Sequence, residues 1–366
     1  MQPYFIFLIT GCFFCHFTDE CECAQTTLGY RPNAELEIEY EKFSTDGVAH
    51  GKAYFNMSKH VFSIRNYRPG DFENYAGLHR EAGESDQSGQ FVSKQRLAED
   101  LGHPSFHPEN NLFFAEQNGR LCGYVSVFLE PGIGRALLDF LVHPLDRRKG
   151  IATELMGHGI QHAKAEGIKR IQICIPEKNI VCKKMATRMG LRFVRHFIGY
   201  KLDLTSLRLP DVIVNEYIIR SLRSGEESAL TTIQNRSFRG VWGFNPNTRE
   251  EISYRINLAS CFPEDVIMIY SEDKPVAYCW TRIDHEANAK RRENTGEIHM
   301  LGVDPEYRRR SLGRNVLLAG LSHLRNKGMD IVELTADGEE PAGPALYESV
   351  GFKRYLRIEW YEKKLT

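Results

Sequence analysis

The chain has 366 residues, of which 42% are apolar and 26% charged, and its formal net charge is -1. That length exceeds one ordinary hydrophobic core and suits two domains, and the composition is that of a globular protein, not a disordered or fibrous one. A nearly neutral chain has no global field to draw it to nucleic acid or an anionic membrane, so neither is expected as a partner.

Residues 4–17, YFIFLITGCFFCHF, are apolar but too short for a confident membrane span. They resemble the h-region of a signal peptide, but no Lys or Arg precedes them. Cys12, Cys15, Cys21 and Cys23 form CxxC and CxC spacings that lack the usual zinc pattern, so no metal is expected. Residues 1–56 are therefore expected to be an extension outside the fold of a cytoplasmic protein. Membrane association through residues 4–17 is the lesser alternative. Cys122, Cys174, Cys182, Cys261 and Cys279 are scattered, as expected of reduced thiols used as small core residues.

From about Val61 the chain repeats itself. FSIRNYRPGD (Phe62–Asp71) aligns with YIIRSLRSGE (Tyr217–Glu226), each predicting a short strand, a turn and an acidic helix start. Helical stretches FENYAGLHREA and ESALTTIQNRSF follow. Pro108–Ala115 then matches Pro263–Tyr270, and Asn118–Gly119 predicts a hairpin. The strands ALLDFLVHP and IHMLGVDP run into RRKGIA (Arg147–Ala152) and RRRSLG (Arg308–Gly313). Long amphipathic helices come next, then the strands IKRIQICIP and MDIVELTA. Met189-Gly190-Leu191 and Val350-Gly351-Phe352 lead to the closing strands RFVRHFIGYKLDL and KRYLRIEWYEKKL.

Each unit is thus predicted as β-α-β-β-β-α-β-α-β. The fold class is mixed α/β and α+β: two tandem units, each a mostly antiparallel mixed sheet flanked by helices. The boundaries are 57–205 for the first unit, 206–213 for a linker and 214–366 for the second. Internal duplication makes a monomer sufficient.

The basic turns carry the chemistry. A helix start offers unpaired N–H groups and partial positive charge, glycine permits close approach, and arginine bonds phosphate oxygens. Together these make a diphosphate cradle that matches neither GxxxxGK[ST] nor GxGxxG. Val-x-Pro, the arginine-rich turn, the long helix, the next strand and the later Gly-Leu/Phe resemble the GNAT acetyltransferases.

The resemblance implies acetyl-CoA as acyl donor. Phe140, Leu141 and Val142, and in the second unit Leu301, Gly302 and Val303, would hold pantetheine as an added strand. Arg147, Arg148, Lys149, Gly150, Ile151 and Ala152 would hold the diphosphate. Arg308, Arg309, Arg310, Ser311, Leu312 and Gly313 are their counterparts, with Ser311 where the family usually has glycine. Positive φ at a serine is costly, which puts cofactor binding there in doubt.

The family's A-x-x-LY-x-x-x-GF pattern places a proton donor at Tyr347, whereas Ala186 fills that slot in the first unit. Asn179 keeps the family's asparagine position, and Glu340 replaces it in the second unit. Glu297 is a candidate for deprotonating the amine, His299 shares its strand face, and Asp139 adds polarity to an apolar strand.

The resemblance implies direct acetyl transfer to the primary amine of a small molecule in the second unit, with the first unit binding cofactor. Three readings stand beside it: a catalytically decayed CoA-binding scaffold, catalysis in the first unit, and an activity like mycothiol synthase, another two-unit GNAT. Ser237–Phe244 lacks the acidic residue expected of that enzyme, and Trp242, Phe244 and Trp280 are expected in the core. The charged insertion His285–Gly296 is expected as a solvated loop or a gate beside the second site.

Overall fold

The structure, a computed structural model, describes residues 36–44, 47–55, 62–85, 92–210, 212 and 216–365. Residues 4–17 and the four amino-terminal cysteines lie outside the described residues, so the leader and zinc readings rest on sequence alone. Among the described residues, strands β1 (Leu36–Ser44) and β2 (Gly47–Phe55) form a two-stranded sheet with each other.

The first unit comprises β3 (Ser63–Asn66), α1 (Phe72–Ser85), α2 (Lys94–Leu101), α3 (Pro108–Asn111), β4 (Leu112–Gln117), β5 (Arg120–Glu130), β6 (Arg135–Val142), α4 (Ile151–Ala165), β7 (Arg170–Pro176), α5 (Ile180–Arg188) and β8 (Arg192–Asp203). The second comprises β9 (Ile218–Ser221), α6 (Glu227–Ser237), α7 (Arg249–Arg255), β10 (Val266–Ser271), β11 (Lys274–Arg282), α8 (His285–Arg291), β12 (Thr295–Val303), α9 (Leu312–Asn326), β13 (Ile331–Asp337), α10 (Ala342–Val350) and β14 (Lys353–Lys364). The repeat extends to its ion pairs. Arg65 grips Asp71 through both Nη atoms at 2.7 and 2.8 Å, and Arg220 grips Glu226 at 2.7 Å.

One twelve-stranded sheet runs β3-β4-β5-β6-β7-β14-β8-β13-β12-β11-β10-β9, so the closing strands are exchanged between units. β14 pairs with β7 of the first unit, and β8 pairs with β13 of the second. The exchange carries core residues with it. Ile358 and Trp360 pack in a first-unit cluster with Tyr75 and Leu137, while Ile198, Tyr200 and Leu202 join Leu317 and Val332 of the second. Each half therefore buries the other's carboxy-terminal strand, and neither leaves an edge at the centre of the sheet.

The long helices lie close over their sheets because each carries a glycine at the same position. A Cβ at Gly320 would stand 2.4 Å from Cys279 Sγ, and one at Gly159 would stand 3.2 Å from Val125, Val127 and Leu138 side chains. The charged insertion is not a free loop. Asp284 caps α8 at Ala287 N, and Glu286 accepts from the amides of Lys94 and Gln95 at the start of α2. Ser93 Oγ donates to Asp284 at 2.8 Å, so the insertion docks the second unit on the first.

Candidate functional site

Two clefts arise from the same departure from regular pairing. The parallel strands β6 and β7 pair only from Arg135 to Leu137, and β12 and β13 only from Thr295 to Glu297. Beyond those points the strands diverge, and the outer halves of β6 and β12 turn backbone N–H and C=O groups toward a gap. Such groups need partners, which an extended ligand can supply as if it were a strand. The first cleft, of about 670 Å³, is lined by Phe140, Leu141, Val142, Arg148, Gly150 and Asp139 among others. The second, of about 500 Å³, brings together Leu301, Gly302, Val303, Ser311, His299 and Tyr347.

Both basic turns adopt one conformation. Arg148 (φ 65°) and Gly150 (φ 84°) are left-handed, and so are Arg309 (φ 64°) and Ser311 (φ 61°). Alternating left-handed residues before a helix aim successive amides at one point, an anion-binding nest. Ser311 therefore takes the same left-handed backbone conformation as Gly150, and its side chain is exposed, which meets the doubt about accommodating it. The cost is backbone strain, since a non-glycine residue in this region is disfavoured by roughly 1–2 kcal/mol. Replacing Ser311 with Gly is expected to raise stability by roughly 0.5–1 kcal/mol without weakening acetyl-CoA binding, read by thermal unfolding and calorimetry. Lower stability in that variant would show that the serine side chain makes a compensating contact.

The arginines divide their work. Arg147 Nε donates to Val142 O at 3.2 Å, and Arg308 Nε donates to Val303 O at 3.4 Å, so the first arginine of each turn braces the strand end. Arg308 also reaches Ser237 O at 2.9 Å. Lys149 is held by Asp146 at 2.8 Å, and the Arg310 guanidinium lies 5.0 Å from the Tyr307 ring centre. Ile151 and Ala152 begin α4, and Leu312 and Gly313 begin α9, where the turn becomes helix.

Tyr347 projects from α10 into the second cleft, packed 5.8 Å from Tyr200 and 6.0 Å from Phe352 between ring centres. Burial pushes its phenol well above the usual tyrosine range, so it stays protonated at neutral pH. Its counterpart Ala186 is fully buried in the apolar core.

His299 lines the second cleft because of a bulge. Trp280 pairs with Met300 and Thr281 with Ile298, leaving His299 as the extra residue, whereas β5 and β6 pair without a shift. Bulges re-aim side chains, and this one has no sequence signature. Burial, with Arg282, Arg255 and Arg96 nearby, holds the His299 imidazole neutral. Glu297 does not line the cleft; its Oε1 lies 4.0 Å from His299 Nδ1, and burial raises its carboxyl pKa. In the first cleft Asp139 accepts from the Tyr124 hydroxyl, and burial pushes its carboxyl up to about 6. Asn179 caps α5 by accepting from Cys182 N at 2.9 Å, while Glu340 lines the second cleft.

The wall of the second cleft contains Ser237, Phe238 and Val241. Trp242 leaves that wall to pack on Phe197 and Trp360, each at 6.1 Å. Trp280 is wholly buried, with Nε1 2.8 Å from Cys261 Sγ. Among the described residues no group of three or more His, Cys, Asp or Glu is arranged to hold a metal, and no helix is long and apolar enough to cross a membrane.

Comparison with known proteins fits this geometry. A model described as the acetyltransferase (GNAT) family matches residues 77–191 and again 228–352. The mycothiol acetyltransferase of Nocardia farcinica is 27% identical over 249 residues, 65% of this chain and 78% of that protein. That of Thermobispora bispora is 28% identical over 302 residues, 81% of this chain and 97% of that protein. Among solved structures, a GCN5-related N-acetyltransferase from Sphaerobacter thermophilus superposes with a TM-score of 0.64 at 20% identity, over 83% of this chain and 95% of that one. A tandem GNAT protein from the clavulanic acid biosynthesis pathway gives a TM-score of 0.65 at 16% identity, over 83% of this chain and 98% of that one. This chain therefore belongs to the GNAT family of acetyltransferases and carries the family's unit twice.

Proposed function

We propose that the second unit transfers acetyl from acetyl-CoA directly to a small-molecule primary amine, and that the first unit also takes acetyl-CoA. The observation that carries this reading is Tyr347, a buried phenol in the same cleft as Leu301–Val303 and the left-handed turn. The unpaired edge of β12 offers amides to the thioester carbonyl, where charge develops as the amine attacks. The neutral His299, which lines the cleft, takes the amine's proton with Glu297 4.0 Å behind it as the final acceptor, and Tyr347 donates to the departing thiolate.

The left-handed turns suit a CoA-binding scaffold as well as an enzyme, and it is the protonated Tyr347 in the second cleft that weighs against a decayed scaffold. The mycothiol acetyltransferase relatives support the mycothiol-synthase-like reading, and that resemblance implies a narrower acceptor, the cysteinyl amine of a sugar-linked precursor. Thiol release from acetyl-CoA is the test, run with cysteinyl amines and with simple alkyl amines. Turnover with cysteinyl amines alone is expected on the narrower reading. Binding of acetyl-CoA with no transfer to any amine would overturn the enzymatic assignment. Glu297→Gln is expected to lower turnover by roughly 100-fold and to leave acetyl-CoA affinity unchanged.

A further inference from the structure

We infer that the first cleft is a second acyl-transfer site, in which Asp139 is the general base for a small cationic primary amine. This rests on that cleft taking acetyl-CoA, as proposed above. Asp139 lies on β6 two residues past Leu137, where pairing with β7 ends, and it lines the cleft together with Leu141 and Cys174. Its neighbours on that sheet face are apolar: Leu137, Leu141 and Cys174 all belong to the buried cluster containing Trp360. A carboxylate in such a place is costly unless it is bonded or used. The cross-strand register places Met300 at the matching position of the second unit, so the repeat does not require an acid here.

Asp139 is also oriented. Its Oδ2 accepts from Tyr124 OH, and the Tyr124 ring meets Tyr75 edge-on at 5.0 Å and lies 5.1 Å from the His79 ring. The groups that act on Asp139 are Tyr124 from β5, the Phe140 backbone, Tyr75 from α1 and Asp100 from α2; behind them His79 packs on Tyr124, Arg96 pairs with Asp100, and Cys174 of β7 shares the cleft wall. Asp100, which burial lifts to about 7 and whose Oδ1 lies 3.6 Å from Arg96 Nε, adds little net charge there, so the Asp139 carboxylate itself is what receives a cationic acceptor. Burial holds Asp139 near 6, so it is a carboxylate at neutral pH and yet basic enough to take a proton from an ammonium in the transition state.

The step balances without further reactants. Asp139 takes one proton from the ammonium as nitrogen bonds the thioester carbonyl carbon. The C–S bond breaks, Asp139 returns that proton to the thiolate, and the amide nitrogen loses its second proton to water. One acetyl-CoA and one alkylammonium yield one amide, one thiol and one released proton. Asp139 thereby does both proton transfers that the second unit divides between His299, backed by Glu297, and Tyr347, which accounts for Ala186 in the tyrosine slot.

The test uses the full chain carrying Tyr347→Phe, with 1,4-diaminobutane as acceptor probe, reading acetylated product by mass spectrometry and acetyl-CoA binding by calorimetry. Product is expected, with a rate that rises through about pH 6. Adding Asp139→Asn should lower that rate by roughly 100-fold while acetyl-CoA affinity holds. Tyr124→Phe, which keeps the carboxylate, should shift the pH profile and retain part of the rate. Two acetyl-CoA bound with no acetylated diamine, or a rate indifferent to Asp139→Asn, overturns the second site. Failure of the first cleft to bind acetyl-CoA is a separate result, visible in the calorimetric stoichiometry, and overturns the donor assignment together with the inference.

Discussion

Tyr347→Phe is expected to reduce turnover in the second unit by about 100- to 1,000-fold at neutral pH, within the range that a positioned general acid supplies. The substitution is close to isosteric. The ring keeps its packing against Tyr200 and Phe352, and no hydrogen bond to its hydroxyl is present among the described residues. Stability should therefore change little, and acetyl-CoA affinity, which the proposal assigns to the turn and the edge of β12, should be unaffected. A fall in kcat without a change in donor KM is the signature of an interaction made only in the transition state. Retention of kcat within about threefold would remove the phenol from the mechanism. The experiment also separates the units, because acetylation that persists in this variant and is lost on Asp139→Asn belongs to the first cleft.

Much of this was legible in the sequence because it is local. The repeat, the two basic turns and the tyrosine slot depend on spacings within a few tens of residues, and those spacings fix which residues meet in a cleft. The strand exchange was not legible. RFVRHFIGYKLDL and KRYLRIEWYEKKL have the same alternation, and either would complete either sheet. Only three-dimensional packing, with Trp360 against Phe197 and Trp242, reveals which closes which. The bulge at His299 was equally hidden, because a bulge is a mismatch between two strands and belongs to neither sequence. Ser311 misled in a definite way: the residue is poor at positive φ, but the turn imposes that conformation regardless. The charge-rich His285–Gly296 is solvated along residues 289–294, while its start is docked: Asp284, just before it, caps α8, and Glu286 accepts from the first turn of α2.

Arg135→Met is expected to destabilise the protein by roughly 3–5 kcal/mol, the cost of leaving one partner of a buried ion pair without the other. Arg135 is wholly buried, its Nε bonds Glu130, and Nη1 donates to Gln172 Oε1 at 3.1 Å. Gln172 passes the connection to Glu362 of β14 at 2.8 Å. Nη2 crosses to the second unit and donates to Gly243 O at 3.0 Å. That carbonyl follows Trp242 on the segment whose Phe238 and Val241 wall the second cleft. A first-unit arginine thus fixes a wall of the second unit's site, and the exchanged strands make the two units unfold together. Denaturant melting should show a single transition at lower concentration, and acceptor KM should rise more than donor KM in the folded fraction. The combined variant Glu130→Gln with Arg135→Met removes the orphaned charge and should recover much of the stability, but not the acceptor KM, because Gly243 O still lacks its donor. Recovery of both together would place the effect in charge burial alone. A loss below about 1 kcal/mol in Arg135→Met would mean that water reaches Glu130 and that the wall is held by Trp242 packing instead.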